Sequence, residues 1–133
     1  AGVPYAALPI ASVLASQAGI PMIYPRKEVK THGTGQLVEG VFEAGQSVTV
    51  IEDVITSGGS LITAVESLRS LGLKVEHAIV LVDREQGGME KLAQAGITSH
   101  PALKFSEILE HLLATKRIHK DQYKIVKDYL SHG

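Results

Sequence analysis

The sequence predicts an α/β fold built on a parallel sheet covered by helices, and three observations predict it. Strand-like apolar runs alternate with runs of helical periodicity along the whole chain. The segment "VEHAIVLVD" (75–83) is a nearly unbroken apolar run, the pattern of a parallel strand buried on both faces. Two strand-like runs end in charged pairs, Glu52–Asp53 and Asp83–Arg84. Sheets of this kind bind their ligands beyond the carboxyl ends of the strands.

The elements follow in order. Ile10, Val13, Leu14 and Ala18 fall at helical spacing, and Gly19 with Pro21 is a stop signal. "MIY" (22–24) reads as a short strand. "PRKEVKTHGTGQ" (25–36) is polar, basic and punctuated by glycine, so it reads as an exposed loop. Residues 37–43 read as a strand closed by a turn at Glu43–Ala44–Gly45, and 48–54 as a stronger one. Ile62, Val65, Leu68 and Leu71 stripe a helix that Gly72 ends. After 75–83 come a helix at 88–95 and a weaker strand from Ile97 to about Leu103. Ser106 is placed to cap a helix carrying Ile108, Leu109, Leu112 and Leu113. A last helix over 120–131 sets Tyr123, Val126 and Leu130 on one side, and Tyr123 and Tyr129 read as core or interface residues.

A chain of 133 residues is one domain at most. A net charge of −1 gives no field to draw nucleic acid or an anionic membrane, so any anion site must be local. No apolar run reaches the length of a membrane span. The start has no basic segment of the kind that opens a signal peptide. The absence of cysteine excludes thiolate metal ligands and fits a reducing, cytoplasmic setting. His77 reads as structural within its strand, and His100, His111, His119 and His132 have no partner at metal-ligand spacing, so no metal site built by protein side chains alone is expected. Met22 and Met89 read as packing residues.

The chemistry centres on "VTVIEDVITSGGS" (48–60). A turn of Thr56, Ser57, Gly58, Gly59 and Ser60 that opens a helix offers backbone N–H groups and a positive dipole end to a phosphate. No lysine follows the glycines, so this is not a Walker A loop. Glu52 and Asp53 would repel that phosphate and suit neutral hydroxyls of the same ligand. A sugar phosphate fits, with its phosphate in the turn and its ribose diol on the carboxylates. The other reading of these residues alone is an acidic strand end before an ordinary glycine-rich turn. Arg26, Lys27, Lys30 and His32 gather three certain cations and a titratable group in one short segment, read either as a solvated basic loop or as a cationic lid hinged at Gly33 and Gly35.

Residues 48–60 closely resemble the phosphoribosyl-diphosphate motif of type I phosphoribosyltransferases, and "RKEVKTHGTGQLVEG" (26–40) resembles the mobile catalytic loop of the orotate phosphoribosyltransferases. "GVPYAALPIA" (2–11) resembles that family's pyrophosphate loop, with Ala6 where many bacterial members have a lysine. "LVDREQGG" (81–88) resembles the strand end that supplies an arginine to the base, and together with the C-terminal helical pair it is most similar to the orotate domain of bifunctional UMP synthases.

The resemblance implies a Rossmann-like core whose family domain begins upstream, so that the N-terminal hood and the first core strand precede Ala1 and residues 1–133 are the C-terminal portion of one phosphoribosyltransferase domain. It implies a transferase of pyrimidine biosynthesis that joins orotate to 5-phosphoribosyl 1-diphosphate, giving orotidine 5′-monophosphate and pyrophosphate. Lys30 would be catalytic. Tyr5, Ala6, Arg26, Lys27, Lys30 and His32 would meet the diphosphate, and Glu52, Asp53, Val54, Ile55, Thr56, Ser57, Gly58, Gly59 and Ser60 the ribose 5-phosphate. Thr56 and Arg84 would meet orotate, the latter through a planar guanidinium unless it forms a surface pair with Asp83. Mg²⁺ would be held mainly by substrate oxygens and water. The family's assembly implies a homodimer with shared active sites. The alternatives are another type I phosphoribosyltransferase, acting on a purine or uracil, and a non-catalytic sensor of phosphoribosyl diphosphate.

Overall fold

The computed structural model describes residues 1–27 and 37–132. The described elements run in the order α1 (Ala7–Ala18), β1 (Tyr24–Pro25), β2 (Val38–Glu39), β3 (Ser47–Ile55), α2 (Gly59–Ser70), β4 (Lys74–Asp83), α3 (Gly88–Gln94), β5 (Thr98–Lys104), α4 (Phe105–Ala114) and α5 (Lys120–His132). Strands β3, β4 and β5 form a parallel sheet in that order. β1 and β2 pair antiparallel, with Tyr24 opposite Glu39 and Pro25 opposite Val38.

The free edge of β3 is taken by the first residues of the chain. Val3 N–H donates to Ile51 C=O at 2.9 Å, and Ile51 N–H to Ala1 C=O at 2.7 Å. On its other side Gly2 N–H donates to Ile23 C=O at 3.2 Å. Ala1–Val3 therefore lies between β3 and the segment leading into β1. The chain leaves Ala1–Val3 toward Ile23 on one side and leaves β3 toward β4 on the other. Right-handed crossovers then put α1 and α2 on opposite faces and open a crevice at the point where the direction reverses.

The core lies under α2 and α3. Val50, Ala78 and Val80 of the sheet meet Leu61, Val65, Leu68 and Leu92 of the helices, all 1% exposed or less. Burying each of these leucines stabilises the fold by about 1.5–3 kcal/mol.

Several sequence expectations are corrected. β4 is covered on one face only: Ile79 and Leu81, alternating with the buried Ala78 and Val80, are 39% and 41% exposed. The expected strand over 37–43 shrinks to Val38–Glu39. Gly40 at φ +105° turns the chain there, a side chain at that position would meet Met22 C=O at 2.7 Å, and Val41 is left exposed. In α1 the buried residues are Ala7 and Ala11, while Val13 and Leu14 face outward, so small residues make the contact with β3 and the larger stripe stays uncovered. α2 turns Leu61 and Ala64 inward beside Val65 and Leu68, leaving Ile62 and Leu71 half-buried. Ser106 is not the cap of α4. That position is Lys104, whose N–H donates to the Glu107 carboxylate at 3.4 Å. His77 is exposed and has a histidine partner: its Nδ1 lies 3.3 Å from Nε2 of His100 on β5. Tyr123 is half-buried, whereas Tyr129 is exposed. Met89 packs against the core, and the Met22 sulfur accepts from the Ser12 hydroxyl at 3.2 Å.

Candidate active site

The crevice at the reversal point is a cleft of about 370 Å³. It brings together Pro4, Tyr5 and Ala6 from the first loop, Lys27, and the run from Glu52 to Leu61. Every residue expected to meet the ribose 5-phosphate lines it, as do Tyr5, Ala6 and Lys27 of the diphosphate set.

Two helices begin at this cleft. α2 starts after Gly58, whose φ of +76° is the left-handed turn that only glycine adopts without strain. α1 starts after Ala6. Neither N-terminus has a side-chain cap or an acidic residue in its first turn. In α1 Leu8 N–H donates back to Tyr5 C=O at 3.2 Å; the positive dipole ends of both helices face the cleft without a side-chain cap to neutralise them. Lys27 adds a cation and stands with its ammonium 5.0 Å from the centre of the Tyr5 ring.

The two acids lie near the carboxyl end of β3, before Val54 and Ile55, and line the cleft. Glu52 is 7% exposed, and its carboxyl is pushed up from 4.5 to about 7. Burial is the largest cause, followed by the side-chain hydrogen bond and the like charge of Asp53, while a backbone hydrogen bond at Asp53 and then the Lys27 ammonium act the other way. Asp53 is half-buried beside it. The charge of this adjacent pair therefore changes near neutral pH.

Arg26 is held away from this group. Its guanidinium forms an ion pair with Glu39 across the β1–β2 ribbon, and its N–H donates to Leu37 C=O at 2.8 Å. It lines a neighbouring cavity with Lys27, Ser60 and Thr63. Lys30 and His32 lie outside the described residues.

Arg84 does not line the cleft but is tied to its edge. Its N–H donates to Ile55 C=O at 3.0 Å, directly before Thr56. No ion pair joins it to Asp83 among the described residues: the Asp83 carboxylate is buried and accepts from Glu85 N–H at 2.8 Å.

Sequence reasoning missed a contact that couples the two loops. A Cβ on Gly88 would lie 2.4 Å from Thr56 C=O and 2.7 Å from Ile55 Cγ1. The Gly87–Gly88 pair is visible in "DREQGG", but its partner is 32 residues earlier, and only the parallel pairing of β3 with β4 brings them together. Among the described residues no group of three or more His, Cys, Asp or Glu is arranged to hold a metal ion, and no helix is long and apolar enough to cross a membrane.

A parallel sheet with two uncapped helix N-termini and an acidic pair near a strand end at its switch point defines an α/β fold of the kind that carries its ligand crevice there. Comparison with known proteins narrows this: the phosphoribosyl transferase domain matches residues 1–109, and the chain belongs to that family. It is 43% identical over 129 residues to an orotate phosphoribosyltransferase of Sulfolobus acidocaldarius, covering 97% of this chain and 65% of that protein. Its fold matches UMP synthase of Leishmania donovani with a TM-score of 0.87 and 34% identity, over 98% of this chain and 28% of that one. It also matches the Mycobacterium tuberculosis orotate phosphoribosyltransferase solved in complex with 5-phospho-α-D-ribosyl 1-diphosphate, with a TM-score of 0.68 and 30% identity, over 79% of this chain and 61% of that one. The chain spans about a quarter of the length of its bifunctional relatives and under two thirds of the single-activity one.

Proposed function

We propose that residues 1–133 are the C-terminal portion of a phosphoribosyltransferase domain that transfers the phosphoribosyl group of 5-phosphoribosyl 1-diphosphate to orotate, yielding orotidine 5′-monophosphate and pyrophosphate in UMP biosynthesis. The observation that carries this reading is the cleft itself, where two uncapped helix N-termini flank an acidic pair. A ligand with a phosphate at one end, a diphosphate at the other and a diol between them matches that spacing of opposite chemistries.

In this reading Thr56–Ser60 and the start of α2 hold the 5-phosphate, while Val54 and Ile55 carry the strand into that turn. Glu52 and Asp53 accept hydrogen bonds from the ribose hydroxyls. Tyr5, Ala6, Lys27 and the start of α1 meet the diphosphate, joined by Lys30 and His32 of the basic segment and by Arg26 once it exchanges Glu39 for the substrate. Arg84 and Thr56 face the base. The glycosidic carbon gains positive character as pyrophosphate departs, so the work is positioning and charge stabilisation more than proton transfer. Two adjacent carboxylates without a surrounding cage fit a Mg²⁺ that arrives on substrate oxygens and water. When bound, such an ion would supply positive charge beside the diphosphate.

The basic segment springs from the β1–β2 ribbon, whose strands are tied by Arg26 N–H to Leu37 C=O. We place it as a lid that reaches the site of a second copy, making a cytoplasmic homodimer with shared active sites. Incubation of the purified full-length domain with Mg²⁺, 5-phosphoribosyl 1-diphosphate and each of orotate, uracil, adenine and hypoxanthine tests the activity. Nucleotide should form with orotate. Formation with another base alone, or with none, refutes the assignment.

A further inference from the structure

The chain turns sharply after β4, and the turn is fastened from three directions. Arg84 N–H donates to Ile55 C=O at 3.0 Å, fixing the backbone to the end of β3. The next residue, Glu85, has φ +60°, a left-handed conformation that costs a non-glycine residue about 1 kcal/mol or more. Its N–H is held by the buried Asp83 carboxylate at 2.8 Å. Its own carboxylate reaches 21 residues ahead to the start of α4, accepting from Ser106 N–H at 2.8 Å and from the Ser106 hydroxyl at 3.1 Å. That N–H is one of the first-turn donors left without a partner inside the helix, so an anion there is favoured by the dipole as well.

We propose that Glu85 and Ser106 form a clamp that positions Arg84 for the planar, anionic acceptor base. This rests on the reading of Arg84 as the base contact. The clamp explains why an acidic residue occupies a left-handed position where glycine would be unstrained: glycine has no carboxylate with which to bind α4. It also explains why Ser106, expected as a cap for its own helix, points elsewhere. With Asp83 taken up by Glu85 N–H and Glu85 by Ser106, neither neighbouring acid neutralises Arg84, and its guanidinium stays available to a carboxylate on the ligand. Glu85 and Ser106 are positioning residues; neither lines the cleft.

The test uses Ser106→Ala, Glu85→Gln and Glu85→Gly in the purified protein. Glu85→Gly removes the backbone strain together with the clamp, whereas Ser106→Ala breaks the hydroxyl contact and leaves the strain, so the pair separates a side-chain role from a conformational one. Glu85→Gln keeps the reach and one acceptor oxygen. The clamp predicts that KM for orotate rises about tenfold in Glu85→Gly, a loss of about 1.4 kcal/mol. It predicts a smaller rise in Ser106→Ala and the smallest in Glu85→Gln, with KM for 5-phosphoribosyl 1-diphosphate unchanged within about twofold. Amide hydrogen exchange supplies a readout independent of the substrate: exchange at Arg84 and Glu85 should quicken in Ser106→Ala and Glu85→Gly while β3 and α2 keep their protection. A wild-type protein inactive with orotate refutes the reading of the base, and the exchange data still decide the clamp. Unchanged exchange at 84–85 in both variants, or quickened exchange with an unchanged orotate KM in an active enzyme, overturns it.

Discussion

Replacing Glu52 with glutamine should stabilise the empty protein and impair it as a ligand binder, and both effects can be sized. In the folded state the Glu52 carboxyl titrates near 7 instead of 4.5, mainly through burial and then through Asp53. A raised carboxyl pKa means that folding favours the protonated form. Stability from this group is complete below pH 4.5, declines as pH rises toward 7, and levels off above that. At 1.36 kcal/mol for each pH unit the ionised residue costs the fold up to about 3 kcal/mol at pH 8. The Glu52→Gln amide has no charge to bury and can still donate to Asp53. Urea unfolding at intervals from pH 4 to 8 should show the variant about 1–3 kcal/mol more stable than wild type at pH 8 and equal to it at pH 4. The same change should weaken binding of Mg-5-phosphoribosyl 1-diphosphate, since a neutral acceptor loses the charge-assisted bond to the ribose diol. If wild type and variant keep the same stability difference at every pH, Glu52 does not carry the buried charge argued here.

The other consequences concern the loops. Gly88→Ala pushes a methyl group onto Thr56 C=O, 2.4 Å away; overpacking of this kind should cost about 1–3 kcal/mol in urea unfolding and raise KM for 5-phosphoribosyl 1-diphosphate. Lys30→Ala should lower kcat on the order of a hundredfold to a thousandfold with a much smaller change in KM, because a contact made on lid closure acts on the transition state; an increase in KM with kcat near wild type would make Lys30 an ordinary binding cation. Mixed dimers of Lys30→Ala and Asp53→Ala chains should recover part of the activity that each lacks alone, since one hybrid site is whole. Verified heterodimers without recovery would show that each chain serves its own site.

The residues that line the cleft are legible where the signal is local. "VTVIEDVITSGGS" carries its strand, its acids and its turn within 13 consecutive positions, and backbone geometry alone brings Glu52 through Ser60 to one cleft. The alternation of strands and helices was legible for the same reason, since each period is read within one element. What escaped depends on residues far apart in the chain. The approach of Gly88 to Thr56, the bond from Glu85 to Ser106 and the meeting of His77 with His100 all need the parallel register of β3, β4 and β5, which no local pattern records. The stripe Ile10, Val13, Leu14 was a fair signal of a helix but a poor guide to its buried side. Close approach to β3 selected the small side chains Ala7 and Ala11 instead. Over 37–43 the apolar pattern extends past the real strand, because Gly40 at φ +105° ends the ribbon after Glu39.

The central claim is that the cleft at the switch point holds a sugar diphosphate through Asp53 and its neighbours. Calorimetric titration of Mg-5-phosphoribosyl 1-diphosphate into wild type and Asp53→Asn tests it most directly. The wild type should bind one ligand per chain, and the variant should bind about tenfold or more weakly, since a hydrogen bond to a charged group contributes about 1.5–3 kcal/mol. Equal affinity in the two proteins would remove the acidic pair from the binding site and contradict the account.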